Sequence, residues 1–126
     1  MRVYKNRWFE KFAKAQRLST RSLWEAIERA NAGLIDADLG SGLIKQRVAR
    51  EGQGRSGGYR TIIAFRVEDR AVFLFGFAKS SRANLNAAEL ATFRKAAKIV
   101  LELSQEQIDV EVEAGRLVEI EDGEDL

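Results

Sequence analysis

Lys45 and Arg47 stand two residues apart in a segment, Leu43–Arg50, that alternates in polarity, so on a strand they project from the same side. From Gly40 to Thr61 there are five basic residues (Lys45, Arg47, Arg50, Arg55 and Arg60) against one acid, Glu51. Lys79 and Arg82 lie just past a third candidate strand. Like charges held this close repel, typically by several tenths of a kcal/mol per exposed pair, unless an anion joins them. Phosphate binding is the chemistry that such a cluster serves. A lone lysine on a strand edge guards against aggregation; that explanation does not extend to a cluster on a face.

What is missing narrows the chemistry. The 126 residues contain no His and no Cys, which excludes Ser-His-Asp and Cys-His nucleophiles, thiolate metal sites and disulfides. Asp36-x-Asp38 is too small a set for a dedicated metal cage and reads as capping of a connector, so no metal and no cofactor are expected. Gly52-x-Gly54-x-x-Gly57 matches a dinucleotide fingerprint by letter, but a strand follows it where the fingerprint requires a helix. It reads as a hairpin loop, with Arg50 and Arg55 on an arm able to wrap a nucleic-acid backbone. Tyr59 is a candidate to stack on a base, with core packing as the competing reading.

Length and composition point to one domain with a real core. Apolar runs are too short for a membrane span, and the N-terminus lacks the apolar stretch of a signal peptide. A soluble cytoplasmic protein is expected. The net charge of +2 hides an asymmetry. Residues 1–82 carry 17 basic and 8 acidic side chains, whereas residues 83–126 carry 4 and 11. A polyanion-binding body with an acidic end follows.

The elements that must position these residues can be read in order. Arg2–Lys5 suits a short edge strand. Asn6 caps a helix with Trp8, Phe9, Phe12 and Ala13 on one face. Ser22-x-x-Glu25 has the form of a capping box opening a second helix, with Leu23, Ala26, Ile27 and Ala30 as its stripe and Gly33 at its end. The two helices are expected to pair antiparallel. Leu34–Gly42 reads as a connector, followed by strands over 43–50, 59–66 and 71–78. Glu68-Asp69-Arg70 turns the last two into an antiparallel pair, and the row Phe73, Phe75, Phe77 reads as core. Asn86-x-x-Glu89 opens a helix that buries Leu90, Phe93, Ala97, Val100 and Leu101. Ser104-x-x-Gln107 starts another with Ile108 and Val112, Gly115 ends it, and Leu117–Ile120 adds a strand. The class is α+β, order β-α-α-β-β-β-α plus an acidic C-terminal helix/strand extension. The sheet is small and antiparallel with helices packed on one face, and the other face is left partly open. Residues 1–103 form the main domain. Residues 104–126 either pack on it or fold back to mute the basic sheet, and packing is the preferred reading.

The strand Gly42-Leu43-Ile44-Lys45-Gln46-Arg47-Val48-Ala49, the Gly/Arg loop, Gly58-Tyr59-Arg60-Thr61 and Gly76-Phe77-Ala78-Lys79 with Arg82 together resemble the RelE/HigB toxins of bacterial type II toxin–antitoxin pairs. The resemblance runs over roughly residues 3–103 and implies a microbial RNase-like fold. It implies an mRNA interferase that cuts the codon in the ribosomal A site, and a cognate antitoxin, often a helix-turn-helix protein. By the resemblance, Lys45, Arg47, Arg60 and Arg82 carry phosphate binding and catalysis, with Lys79 at a neighbouring basic position. Where some relatives place a Tyr or His, this chain reads Ala83-Asn84-Leu85-Asn86.

RNA can be cleaved by its own 2′-OH, which needs a base, cations around the phosphorane and help for the departing 5′-oxygen. Arginine is too basic to take the proton but can stabilise charge with its fork. Arg47 and Arg60 are therefore assigned to the scissile phosphate, Lys45 to the base, and Arg82 or Lys79 to the leaving group. The alternatives are a gyrase-poisoning toxin of ParE type and a nucleic-acid-binding module without chemistry.

Overall fold

The computed structural model describes residues 1–50 and 54–121. Six strands form one mostly antiparallel sheet in the order β2-β3-β4-β5-β1-β6. The strands are β1 (Arg2–Asn6), β2 (Ala37–Gly40), β3 (Leu43–Arg50), β4 (Gly54–Arg66), β5 (Arg70–Ala78) and β6 (Leu117–Ile120). Four helices complete the α+β fold: α1 (Arg7–Gln16), α2 (Thr20–Asn31), α3 (Ala87–Glu102) and α4 (Gln105–Glu113).

Local chemistry sets most boundaries. The Asn6 side chain accepts the Phe9 N–H and starts α1. Asn86/Glu89 and Ser104/Gln107 close reciprocal capping boxes on α3 and α4. The cap of α2 is Ser19, one turn before the expected Ser22-x-x-Glu25 box; its hydroxyl accepts the Ser22 N–H and so satisfies a donor that the helix leaves free. Gly33 and Gly115, both at positive φ, follow α2 and α4. The 34–42 connector contains β2, a four-residue strand paired with β3 through a bulge at Asp38/Gly40.

The helices divide between the two faces of the sheet instead of gathering on one. Leu23, Ala26, Ile27 and Ala30 of α2 join Phe9 and Ala13 of α1 over Val3, Ile44, Val48, Ile63 and Phe73. On the other face, Ala97, Val100 and Leu101 of α3 and Ile108 of α4 cover Tyr4, Leu43, Ile62, Ala64 and Val72. The physical reason lies in β4 and β5, which are apolar on both sides and leave no face that tolerates water along its whole length. A bulge between Ile62 and Ile63, opposite Phe75 and Phe73, splits the expected phenylalanine row. Phe73 belongs to the α1/α2 core, while Phe77 and Phe75 belong to the α3/α4 side.

The first strand is internal and not an edge, because it pairs parallel with β5 and antiparallel with β6. Ile108, Leu117 and Ile120 are buried. At ~1.5–3 kcal/mol per buried aliphatic side chain, these three contribute about 6 kcal/mol, comparable with the whole stability of a small domain. A chain ending at Leu103 should therefore aggregate or melt far below the full-length protein in a thermal scan; a soluble, cooperatively folding fragment would contradict this packing. Buried Arg70 adds a tie from β5, donating to the Val100 and Leu103 carbonyls at the end of α3.

Candidate phosphate-binding face

Strand alternation and register bring the predicted cations together. Leu43 on β3 and Ile62 and Ala64 on β4 point into the α3/α4 core, so Lys45, Arg47 and Arg60 share that face beyond the edge of the core. Arg47 lies directly opposite Arg60, and Lys45 opposite Ile62. Arg82 reaches the same side from the segment after β5. Its guanidinium carbon sits 5.6 Å from the Phe75 ring centroid and 5.1 Å from that of Phe77, which is the Arg60 partner on β5.

Lys45, Arg47 and Arg82 are each held by a neighbour. Lys45 Nζ donates to Asn84 Oδ1 at 2.7 Å. Arg82 Nη2 donates to Glu89 Oε1 at 2.7 Å, the oxygen that also accepts the Asn86 N–H in the α3 capping box. These two bonds, Asn86 first and then Arg82, hold the Glu89 carboxyl below its ordinary pKa. Partial burial, and then the charge of Arg47, lower the Arg60 guanidinium from its ordinary value, with Asp36 offsetting part of the effect. Arg47 and Arg60 thus repel each other across the strand pair, the arrangement that an incoming phosphate relieves.

Asp36 is the piece that residue types alone did not reveal. Its Oδ1 accepts Arg47 Nε at 3.2 Å and Nη2 at 3.0 Å; its Oδ2 accepts the Arg47 N–H at 2.7 Å and Arg29 Nη1 at 3.5 Å. Arg29 also donates to the Arg47 carbonyl. Fully buried Gln46 fastens the same segment, accepting from Asp36 N and donating to the Ala26 and Leu34 carbonyls. Burial pushes the Asp36 carboxyl up, but the Arg47 backbone and side-chain bonds outweigh it and leave the pKa below its ordinary value. With both oxygens fully engaged, Asp36 is a positioning group for Arg47 and not a free base. The stabilisation is complete above the ordinary carboxylate range and is lost as pH falls through the depressed value. We expect Asp36→Ala to weaken binding of a phosphate-bearing strand in the wild-type background and to add little in an Arg47→Ala background. Equal effects in both backgrounds would show that Asp36 does not act through Arg47.

Two expected RNA contacts lie elsewhere. Tyr59 is buried, makes an edge contact with Phe12 and donates its hydroxyl to Gln16 of α1, so it is a core residue of the opposite face and not a stacking platform for a base. The Arg50 guanidinium follows it there, 5.9 Å from the Tyr59 ring centroid. The side chain of Arg55 and the loop residues 51–53 lie outside the described residues. Lys79 is exposed at the end of β5, with its backbone N–H on the Gly58 carbonyl. Asn84 and Arg29 carry no sequence signal beyond their type, because their partners lie far along the chain, and the capping-box pattern of Glu89 does not show its bond to Arg82.

Among the described residues there is no group of three or more His, Cys, Asp or Glu placed to hold a metal, and no helix long and apolar enough to cross a membrane. A search of curated proteins finds no match. A family model described as the RelE toxin of the RelE/RelB toxin–antitoxin system matches residues 1–120, which include every strand and helix of the fold. Toxins of this family are generally endoribonucleases, each with a cognate antitoxin. With the sheet, the four helices and the family match in agreement, the chain belongs to the RelE toxin family.

Proposed function

We propose that the protein is a ribosome-dependent, metal-independent mRNA endoribonuclease that stops translation, and that its reaction centre is the face formed by Lys45, Arg47, Arg60 and Arg82. The observation that carries this reading is the convergence of Lys45, Arg47 and Arg60 on one face in adjacent strand positions, with Arg82 arriving over Phe75 and Phe77. Arg47 and Arg60 hold the non-bridging oxygens of the scissile phosphate. Lys45 is the group that takes the 2′-OH proton, and the 2′-oxygen attacks phosphorus. The P–O5′ bond breaks to leave a 2′,3′-cyclic phosphate and a 5′-hydroxyl. Arg82, fixed by Glu89, supports the charge on the departing 5′-oxygen, and Lys79, at the end of β5, is assigned to return its proton. The mRNA strand is aligned by the ribosomal A site, where a well-oriented intramolecular attack gains most.

Single-turnover cleavage of mRNA on programmed ribosomes tests the assignment with Lys45→Ala and Arg47→Ala. Each should slow the cut by at least tenfold while the variants stay folded, and expression of wild-type protein should arrest growth until the cognate antitoxin is supplied. If both variants cleave at the wild-type rate, the site is misassigned. Growth arrest with intact mRNA and inhibited gyrase would replace the nuclease reading with the gyrase-poisoning one.

A further inference from the structure

Beside the basic face lies a cleft of about 190 Å³ lined by Leu39, Lys45, Asn84, Leu85 and Leu90. Sites for drug-sized ligands run to ~300–1,000 Å³, so this one suits a single heterocyclic ring system and not a whole nucleotide. Three leucines supply apolar walls for the faces of a ring. The polar groups are Lys45 and Asn84, and their mutual bond fixes how they are presented. Because Lys45 Nζ donates to Asn84 Oδ1, the amide oxygen is spent on the lysine and the amide NH₂ is left with two donors. No partner for that NH₂ occurs among the described residues. The lysine keeps further N–H donors of its own. The polar edge of the cleft is therefore almost entirely donating.

We propose that this cleft binds one nucleobase of the RNA strand. Its donating edge favours keto bases, guanine or uracil, which turn a carbonyl acceptor toward Asn84 and Lys45. Amino bases, adenine or cytosine, place an N–H donor at the same point and meet donor against donor. The inference rests on the nuclease reading above, because Lys45 is shared: the strand whose phosphate lies on Lys45, Arg47 and Arg60 is the strand that can drop a base between the leucines. Asn84 is then a specificity-determining residue on the segment linking Arg82 to the α3 cap.

The test uses ribosomes programmed with mRNAs that differ in one nucleotide of the A-site codon, each position set to G, U, A or C. Single-turnover cleavage is measured for wild type, Asn84→Ala and Asn84→Asp. Wild type should prefer keto over amino bases at one position by about tenfold, within the range that one well-placed base contact discriminates. Asn84→Ala should level that preference to within about twofold, even where loosening of Lys45 slows every codon. Asn84→Asp replaces the donors with acceptors and should turn the preference toward amino bases, an outcome that mere loss of structure does not produce. A wild-type enzyme that cuts with no keto/amino preference, or one whose preference both variants leave unchanged, overturns the base pocket and leaves the nuclease reading standing. Failure of wild type to cut any codon overturns both.

Discussion

Arg60→Ala should lower the single-turnover rate of mRNA cleavage by about 10²–10³-fold, the usual cost of removing one positioned charge donor from a transition state. Arg60 faces Arg47 directly across the β3–β4 pair, and its guanidinium is disfavoured by partial burial and by that neighbour. Deleting it removes an attraction from the transition state. Arg66→Ala is the matched control: it removes an arginine from the same strand, but one that pairs with Asp69 at the far turn, and cleavage should not change. A folded Arg60→Ala protein that cleaves at the wild-type rate would show that Arg60 does not hold the scissile phosphate.

Gly58→Ala should cost both stability and activity. A Cβ at this position would stand 2.2 Å from the Val48 carbonyl oxygen and 2.8 Å from the Arg50 nitrogen, both backbone atoms that cannot swing aside. Overpacking of this kind costs about 3 kcal/mol or more where the backbone itself must move, roughly 10 °C in melting temperature for a chain of this size. The displacement falls where the β3–β4 register is already irregular between Val48 and Arg50. It spreads the strands two residues from Arg60, so the Arg47–Arg60 spacing opens and cleavage falls with stability. Gly76→Ala meets the Phe12 ring first, a side chain and not backbone, and should cost less. The ordering of the two melts checks the argument: a Gly58→Ala protein as stable as wild type would show that the strands are not held at this closeness.

Features written in neighbouring residues are legible in the sequence. The Asn86/Glu89 and Ser104/Gln107 boxes work within one helical turn, and the alternation of Leu43–Arg50 states its own strand and its own faces. That same alternation puts Lys45 and Arg47 on a common side; setting Arg60 beside them takes the β3–β4 register. What escapes depends on partners distant in the chain. β2 is four residues long and exists by pairing with β3. β1 looks like an edge until β6 arrives from the other end of the chain. The choice of Ser19 over Ser22 as a cap turns on one turn of helix, and both serines carry the right side chain. In the site, Asp36 has the composition of a connector residue; its place as the counter-ion of Arg47 comes from the Gln46 and Arg29 bonds that fasten the connector to β3. Tyr59 and Arg60 are adjacent, and the pleat alone sends them to opposite faces, one into the α1 core and one toward the face of Lys45 and Arg47.

The most direct measurement is the chemistry of the cut ends. Wild-type protein added to ribosomes carrying mRNA should release fragments ending in a 2′,3′-cyclic phosphate and a 5′-hydroxyl, and a single 2′-deoxy nucleotide at the scissile position should abolish the cut. Cleavage that proceeds through the deoxy position, or that leaves a 5′-phosphate, would contradict attack by the neighbouring 2′-oxygen on a phosphate held at the Lys45–Arg47–Arg60 face.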